Sequence, residues 1–84
     1  MTLAFVFLNC DIGTEKAVMG EMNRISGVSE AIGVSGVYDI VAKLHADSNG
    51  GITNILKRFH TIAHVRSCST MIVAEELHDW QYDK

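Results

Sequence analysis

The sequence predicts an α+β fold: one four-stranded antiparallel sheet with two helices on one face, in the order βαββαβ. Three observations predict it. Short, β-prone apolar runs alternate with stretches whose apolar residues recur every three or four positions. The second half of the chain repeats the first: a constant offset without a gap lays Val18 on Ile55, Met19 on Leu56, Met22 on Phe59, Ile25 on Ile62 and Val28 on Val65. Between the halves stands Gly36, in a stretch that reads as a tight turn between antiparallel strands. Two βαβ-like halves joined by such a hairpin give the ferredoxin-like arrangement.

Each element has its own warrant. Residues 3–9 are apolar on both parities, with Ala4, Val6 and Leu8 on one face and Phe5 and Phe7 on the other. A strand of that kind wants cover on both sides. Thr14 is placed to cap the first helix, with Glu15 in the turn where the helix dipole favours a negative charge. Val18, Met22 and Ile25 form its apolar stripe, and Gly20 suggests a close packing contact. Residues 28–35 form the second strand, where Gly33 suggests a bulge or close approach. In the third, at 39–46, Ile40, Ala42 and Leu44 share one face and Val41, Lys43 and His45 the other. Asp47 to Gly51 reads as a loop and cap, followed by a helix with Ile52, Ile55, Leu56, Phe59 and Ile62 on its apolar side. The last strand spans 65–75. The domain is thus residues 1–76, and 77–84 is a polar tail containing Trp80 and Tyr82.

Composition narrows the function. A chain of 84 residues buries only about 60% of its unfolded surface, so without disulfides it wants a partner. The outer sheet face is too apolar to stay wet, which predicts a homodimer, an α/β sandwich with sheet packed on sheet. A net charge of −3 with no basic cluster argues against direct nucleic-acid binding. No membrane anchor or signal peptide is evident. Cys10 and Cys68 lack paired spacing and read as core residues of a cytoplasmic protein. No cofactor is implied.

The stretch Gly36-Val37-Tyr38-Asp39 offers backbone N–H groups, an aromatic ring and a carboxylate at a strand end. Together with Ala4-Phe5-Val6, Ile25-Ser26-Gly27-Val28, the strand Ile40-Val41 and the closing Thr70-Met71-Ile72-Val73, it resembles the effector-binding RAM domain of Lrp/AsnC transcription regulators. The resemblance covers about residues 3–76. Where the family commonly has Ile-Pro-Gly-Val after each helix, this chain has no proline, and its strand four reads Cys68-Ser69-Thr70 in place of Thr-x-Thr. The chain begins at the first strand of that domain, so it resembles the stand-alone members that lack a DNA-binding domain.

The resemblance implies an oligomeric amino acid sensor: dimers, often in rings, with a small effector bound between protomers. It places the ligand at Gly36, Val37, Tyr38, Asp39, Ser69 and Thr70. It further implies a role in modulating transcription regulators or amino acid metabolism; shared sheet-face chemistry suggests a full-length Lrp/AsnC regulator as a further partner. In chemical terms, Asp39 suits an ammonium group, while turn N–H groups and the Thr70 hydroxyl suit a carboxylate.

Other classes are weaker. A small ferredoxin-like enzyme, of monooxygenase or isomerase type, would need a nucleophile beside a base, and no motif supplies one. Cys68 would need a lowered pKa that a strand position does not give. His60 and His64 lie four apart, but a metal site needs a third ligand at suitable spacing. A purely structural oligomerisation module is the main competitor.

Overall fold

A computed structural model describes residues 1–73 of the chain. The elements run β1 (Thr2–Cys10), α1 (Glu15–Asn23), β2 (Val28–Gly33), β3 (Ile40–Ala46), α2 (Asn49–Phe59) and β4 (Val65–Ile72). The strands form one antiparallel sheet in the order β2-β3-β1-β4. This is the ferredoxin-like fold expected from the repeat. The end of the last expected strand, residues 74 and 75, and the tail at 77–84 lie outside the described residues.

Alternation along the two central strands decides where the core lies. Ala4, Val6 and Leu8 of β1 and Ile40, Ala42 and Leu44 of β3 have no exposed surface. They meet Val18 and Met22 from α1 and Ile52, Ile55 and Phe59 from α2, so both helices cover the same sheet face. Burying a side chain such as Phe59 fully is worth about 1.5–3 kcal/mol. Ile25 is buried with them, while Leu56 and Ile62 pack at the margin. Among the described residues, no helix covers the opposite face. Pairing places Phe5 opposite Met71, Phe7 opposite Val41 and Ser69, and Ile32 opposite Val41 on that side. Phe5, Ile32 and Met71 remain exposed there.

The internal repeat reaches the backbone as well as the apolar stripe. After α1 the chain turns through Gly27 at φ +98°; after α2 it turns through His64 at φ +77°. These positions correspond under the offset that matches the helices. A methyl group at Gly27 would lie 2.9 Å from the His45 carbonyl oxygen, so glycine is required there for space as well as for φ. The bulges correspond too. Pairing of β2 with β3 steps from Val28–Leu44 to Glu30–Lys43, leaving Ser29 as the extra residue. Pairing of β4 with β1 steps from Val65–Cys10 to Ser67–Asn9, leaving Arg66 as the extra residue.

Five local expectations need correction. Thr14 flanks α1, but its hydroxyl donates back to the Asp11 carbonyl oxygen at 2.6 Å and caps no helix N–H group. Gly33 lies in regular pairing with Ile40, because the bulge of β2 is at Ser29. Gly20 has open space where its side chain would be, so it mediates no close packing. The connection around Gly36 is an open loop over residues 34–39, wider than a tight hairpin turn. Helix α2 starts at Asn49 because Ser48 caps it, its hydroxyl accepting from the Gly51 N–H at 3.2 Å. Gly50 and Gly51 are therefore in the first helical turn.

Candidate functional site

The loop 34–39 is closed by one hydrogen bond, from the Val34 N–H to the Asp39 carbonyl oxygen at 2.8 Å. Gly36 takes φ +135° within it, a conformation that L side chains rarely adopt. Asp39 then re-enters the sheet, its N–H donating to the Leu8 carbonyl oxygen at 2.9 Å. Strand β3 begins at the next residue, Ile40. The next outward backbone donor of β1, the Cys10 N–H, donates to Asp39 Oδ2 at 3.0 Å. A side chain thus fills the ladder position beyond the start of β3, where no backbone carbonyl of that strand is present.

This arrangement makes the wall of a cleft of about 580 Å³ lined by Asn9, Ile12, Val37, Asp39, Arg66 and Ser67. Asn9 Nδ2 donates to Ser67 Oγ at 3.2 Å. Ile12 and Val37 are 98% and 82% exposed, so two aliphatic side chains stand free beside polar and charged groups. Arg66 is the extra residue of the β4 bulge, a place where side chains are commonly re-aimed. Its Nε lies 3.9 Å from Asp11 Oδ1, while Asp11 Oδ2 is 3.2 Å from His64 Nδ1. The Asp11 N–H also donates to the His64 carbonyl oxygen at 3.0 Å, tying the β1–α1 loop to the turn after α2.

Of the six residues singled out from sequence, only Val37 and Asp39 line this cleft. Gly36 shapes the loop that carries them. Tyr38 lies over the uncovered sheet face, its ring centroid 5.5 Å from that of Phe7, with its hydroxyl 3.2 Å from Ser69 Oγ. Ser69 pairs with Phe7, whereas Thr70 pairs with Val6, whose side chain is buried on the helix face. Adjacent strand residues point to opposite sides, so Ser69 and Thr70 do not converge. Asn9, Ile12, Arg66 and Ser67 were missed by sequence reasoning. The only signal was the repeat, in which the small Ser29 corresponds to the charged Arg66.

A larger, more open groove of about 860 Å³ lies at the start of α2, bordered by Gly27, His45, Asp47, Ser48 and Thr53. Ser48 already occupies the cap position, and no loop of the sequence-derived site reaches this groove. His45 Nδ1 is 2.8 Å from Ser29 Oγ. Among the described residues no group of three or more His, Cys, Asp or Glu is arranged to hold a metal ion. Both cysteines are free; burial pushes the Cys68 thiol above its ordinary pKa, the reverse of what a nucleophile needs.

A family model, that of the Lrp/AsnC ligand binding domain, matches residues 3–80. The chain belongs to that family. The Lrp/AsnC ligand-binding domain is a regulatory domain rather than an enzyme family. Among solved structures, FFRP-DM1 is 28% identical with a TM-score of 0.82, the match covering 88% of this chain and 100% of that one. The hypothetical protein PHS023 of Pyrococcus horikoshii is 29% identical with a TM-score of 0.81, covering 93% and 96%. AsnC of E. coli, at 22% identity and a TM-score of 0.80, shares the fold; the match covers 86% of this chain and 50% of AsnC. No match was found among curated proteins. Among the described residues, no helix of this Lrp/AsnC-type domain is long and apolar enough to cross a membrane.

Proposed function

We propose that this domain senses an amino acid, and that copies of the chain assemble to complete the site. One observation carries the reading. The Asp39 carboxylate stands in the cleft with Oδ2 fixed by the Cys10 N–H, and Oδ1 accepts no hydrogen bond among the described residues. A carboxylate held in this way is ready to accept an ammonium group, and charge-assisted hydrogen bonds are the strong ones. The family to which the chain belongs supports a ligand-binding role.

Assembly rests on the uncovered sheet face. Phe5, Ile32 and Met71 form an exposed apolar surface there, of the kind that packs on a second sheet. In this reading the chain forms a homodimer and then a ring of dimers. Tyr38 and Ser69 lie on one side of the sheet and Thr70 on the other, so different protomers contribute the residues at Gly36, Val37, Tyr38, Asp39, Ser69 and Thr70 to any one ligand. Occupancy then stabilises the assembly that builds the site, and a full-length Lrp/AsnC regulator that joins it receives the signal. The sensing unit is residues 1–76, followed by the tail at 77–84, and the protein works in the cytoplasm.

A thermal-shift screen of the twenty amino acids tests the reading. At a hundredfold excess over its Kd, a ligand adds about 2.7 kcal/mol of stability. Asp39→Asn keeps an acceptor for the Cys10 N–H but removes the charge, so it abolishes the response while assembly persists. A screen with no responder would instead favour the structural oligomerisation module. A monomer on sizing at micromolar concentration would sink the assembly.

A further inference from the structure

We infer that Arg66 is the carboxylate-binding residue of the Asp39 cleft, with Asp11 as its resting counter-ion. The inference rests on the amino acid reading above and gives its ligand a second, oppositely charged anchor.

Three observations carry it. First, Arg66 and Asp39 line one cleft, so a cation and an anion border the same space. An α-amino acid presents the complementary pair, ammonium to Asp39 and carboxylate to Arg66. Second, the guanidinium is underused. Its one ion-pair contact among the described residues is from Nε to Asp11 at 3.9 Å, the side chain is 70% exposed, and Asp11 is closer to His64 than to Arg66. The two terminal nitrogens are left to grip a carboxylate in the bidentate geometry that guanidinium favours. Third, the fold does not ask for arginine. At the corresponding bulge in the first half stands Ser29, a small residue whose hydroxyl meets His45. A bulge can thus be built here without charge, and the charge at Arg66 is surplus to the architecture.

The Thr70 hydroxyl is on the helix side of β4 and reaches a ligand here only from another protomer; within the cleft itself Ser67 and Asn9 lie beside Arg66. Those two are already hydrogen-bonded to each other. Neither supplies a positive charge, so Arg66 decides whether the ligand must be an acid.

Calorimetric titration tests this with two probes: the amino acid that responds in the thermal-shift screen, and its carboxamide, which keeps the ammonium and side chain but loses the negative charge. The wild type should bind the carboxamide about ten- to a hundredfold more weakly, as expected for losing a charged hydrogen-bonding partner. Arg66→Ser, which copies the first half of the chain, should lose the same factor for the amino acid and leave the carboxamide affinity unchanged. Arg66→Lys should recover part of the loss. Unchanged amino acid binding by Arg66→Ser, with wild-type binding intact, would overturn the inference and leave the sensor reading standing. Failure of every amino acid to bind the wild type would overturn both. An unaltered melting temperature of unliganded Arg66→Ser separates loss of binding from loss of fold.

Discussion

The β1-α1-β2 half and the β3-α2-β4 half follow one backbone plan, yet only the second places a charged side chain at its bulge. Each half buries its helix through matched positions, Val18 with Ile55 and Met22 with Phe59. Each leaves its helix through a left-handed residue, Gly27 or His64, and each has a bulge two residues later, at Ser29 or Arg66. In the first half the left-handed residue is wedged under the His45 carbonyl and the bulge carries a hydroxyl. In the second, the same two positions hold His64 and Arg66 around Asp11. The architecture demands a left-handed turn and an extra residue at these places but not particular side chains. Where identity departs from the repeat, the fold does not fix it.

Paired substitutions break or sharpen this comparison. The largest effect is expected in the core. Phe59→Ala should cost about 3–5 kcal/mol in urea unfolding, and Met22→Ala less, about 2–4 kcal/mol, because the aromatic ring fills more of the space beneath the sheet. A reversed order would mean that the first helix, not the second, anchors the domain. Next come the left-handed turns. Gly27→Ala should cost about 1–3 kcal/mol through strain and contact with the His45 carbonyl. His64→Gly should change stability by less than about 1 kcal/mol. It relieves about 1–2 kcal/mol of left-handed strain but adds chain entropy to the unfolded state and removes the exposed side-chain contact with Asp11. Equal costs at the two sites would dismiss the distinction between a steric glycine and a free position. The smallest contrast is at the helix starts: Ser48→Ala should cost about 1 kcal/mol, and Thr14→Ala under about 0.5 kcal/mol, since only Ser48 caps a helix N–H group.

Much of this fold could be read from the chain because it rests on periodicity. Ala4, Val6 and Leu8 alternate, Ile52, Ile55 and Phe59 recur at helical spacing, and the offset between halves carries every element onto its partner. What escaped is set by single hydrogen bonds and by pairing between distant strands. Thr14 and Ser48 are both plausible caps, and only the path of the preceding loop decides that one hydroxyl turns back while the other turns forward. The bulges at Ser29 and Arg66 arise from register against β3 and β1, which no local signal at either residue reports; Gly33 carried the misleading cue. The candidate cleft was half legible. Asp39 and Val37 reach the cleft, as a Gly-x-Tyr-Asp loop suggests, but Arg66 arrives from the other end of the sheet by virtue of a bulge that sequence alone did not disclose.

The meeting of β1 and β4 has one more consequence. The Val73 N–H donates to the Leu3 carbonyl oxygen at 2.9 Å, so the start of the first strand and the close of the fourth lie side by side. A molecule ligated across that seam and cut within the 34–39 loop would read β3-α2-β4-β1-α1-β2. That permuted polypeptide is again strand, helix, strand, strand, helix, strand, and its neighbours in the sheet are unchanged. The strand order of the sheet therefore does not depend on which half comes first along the chain.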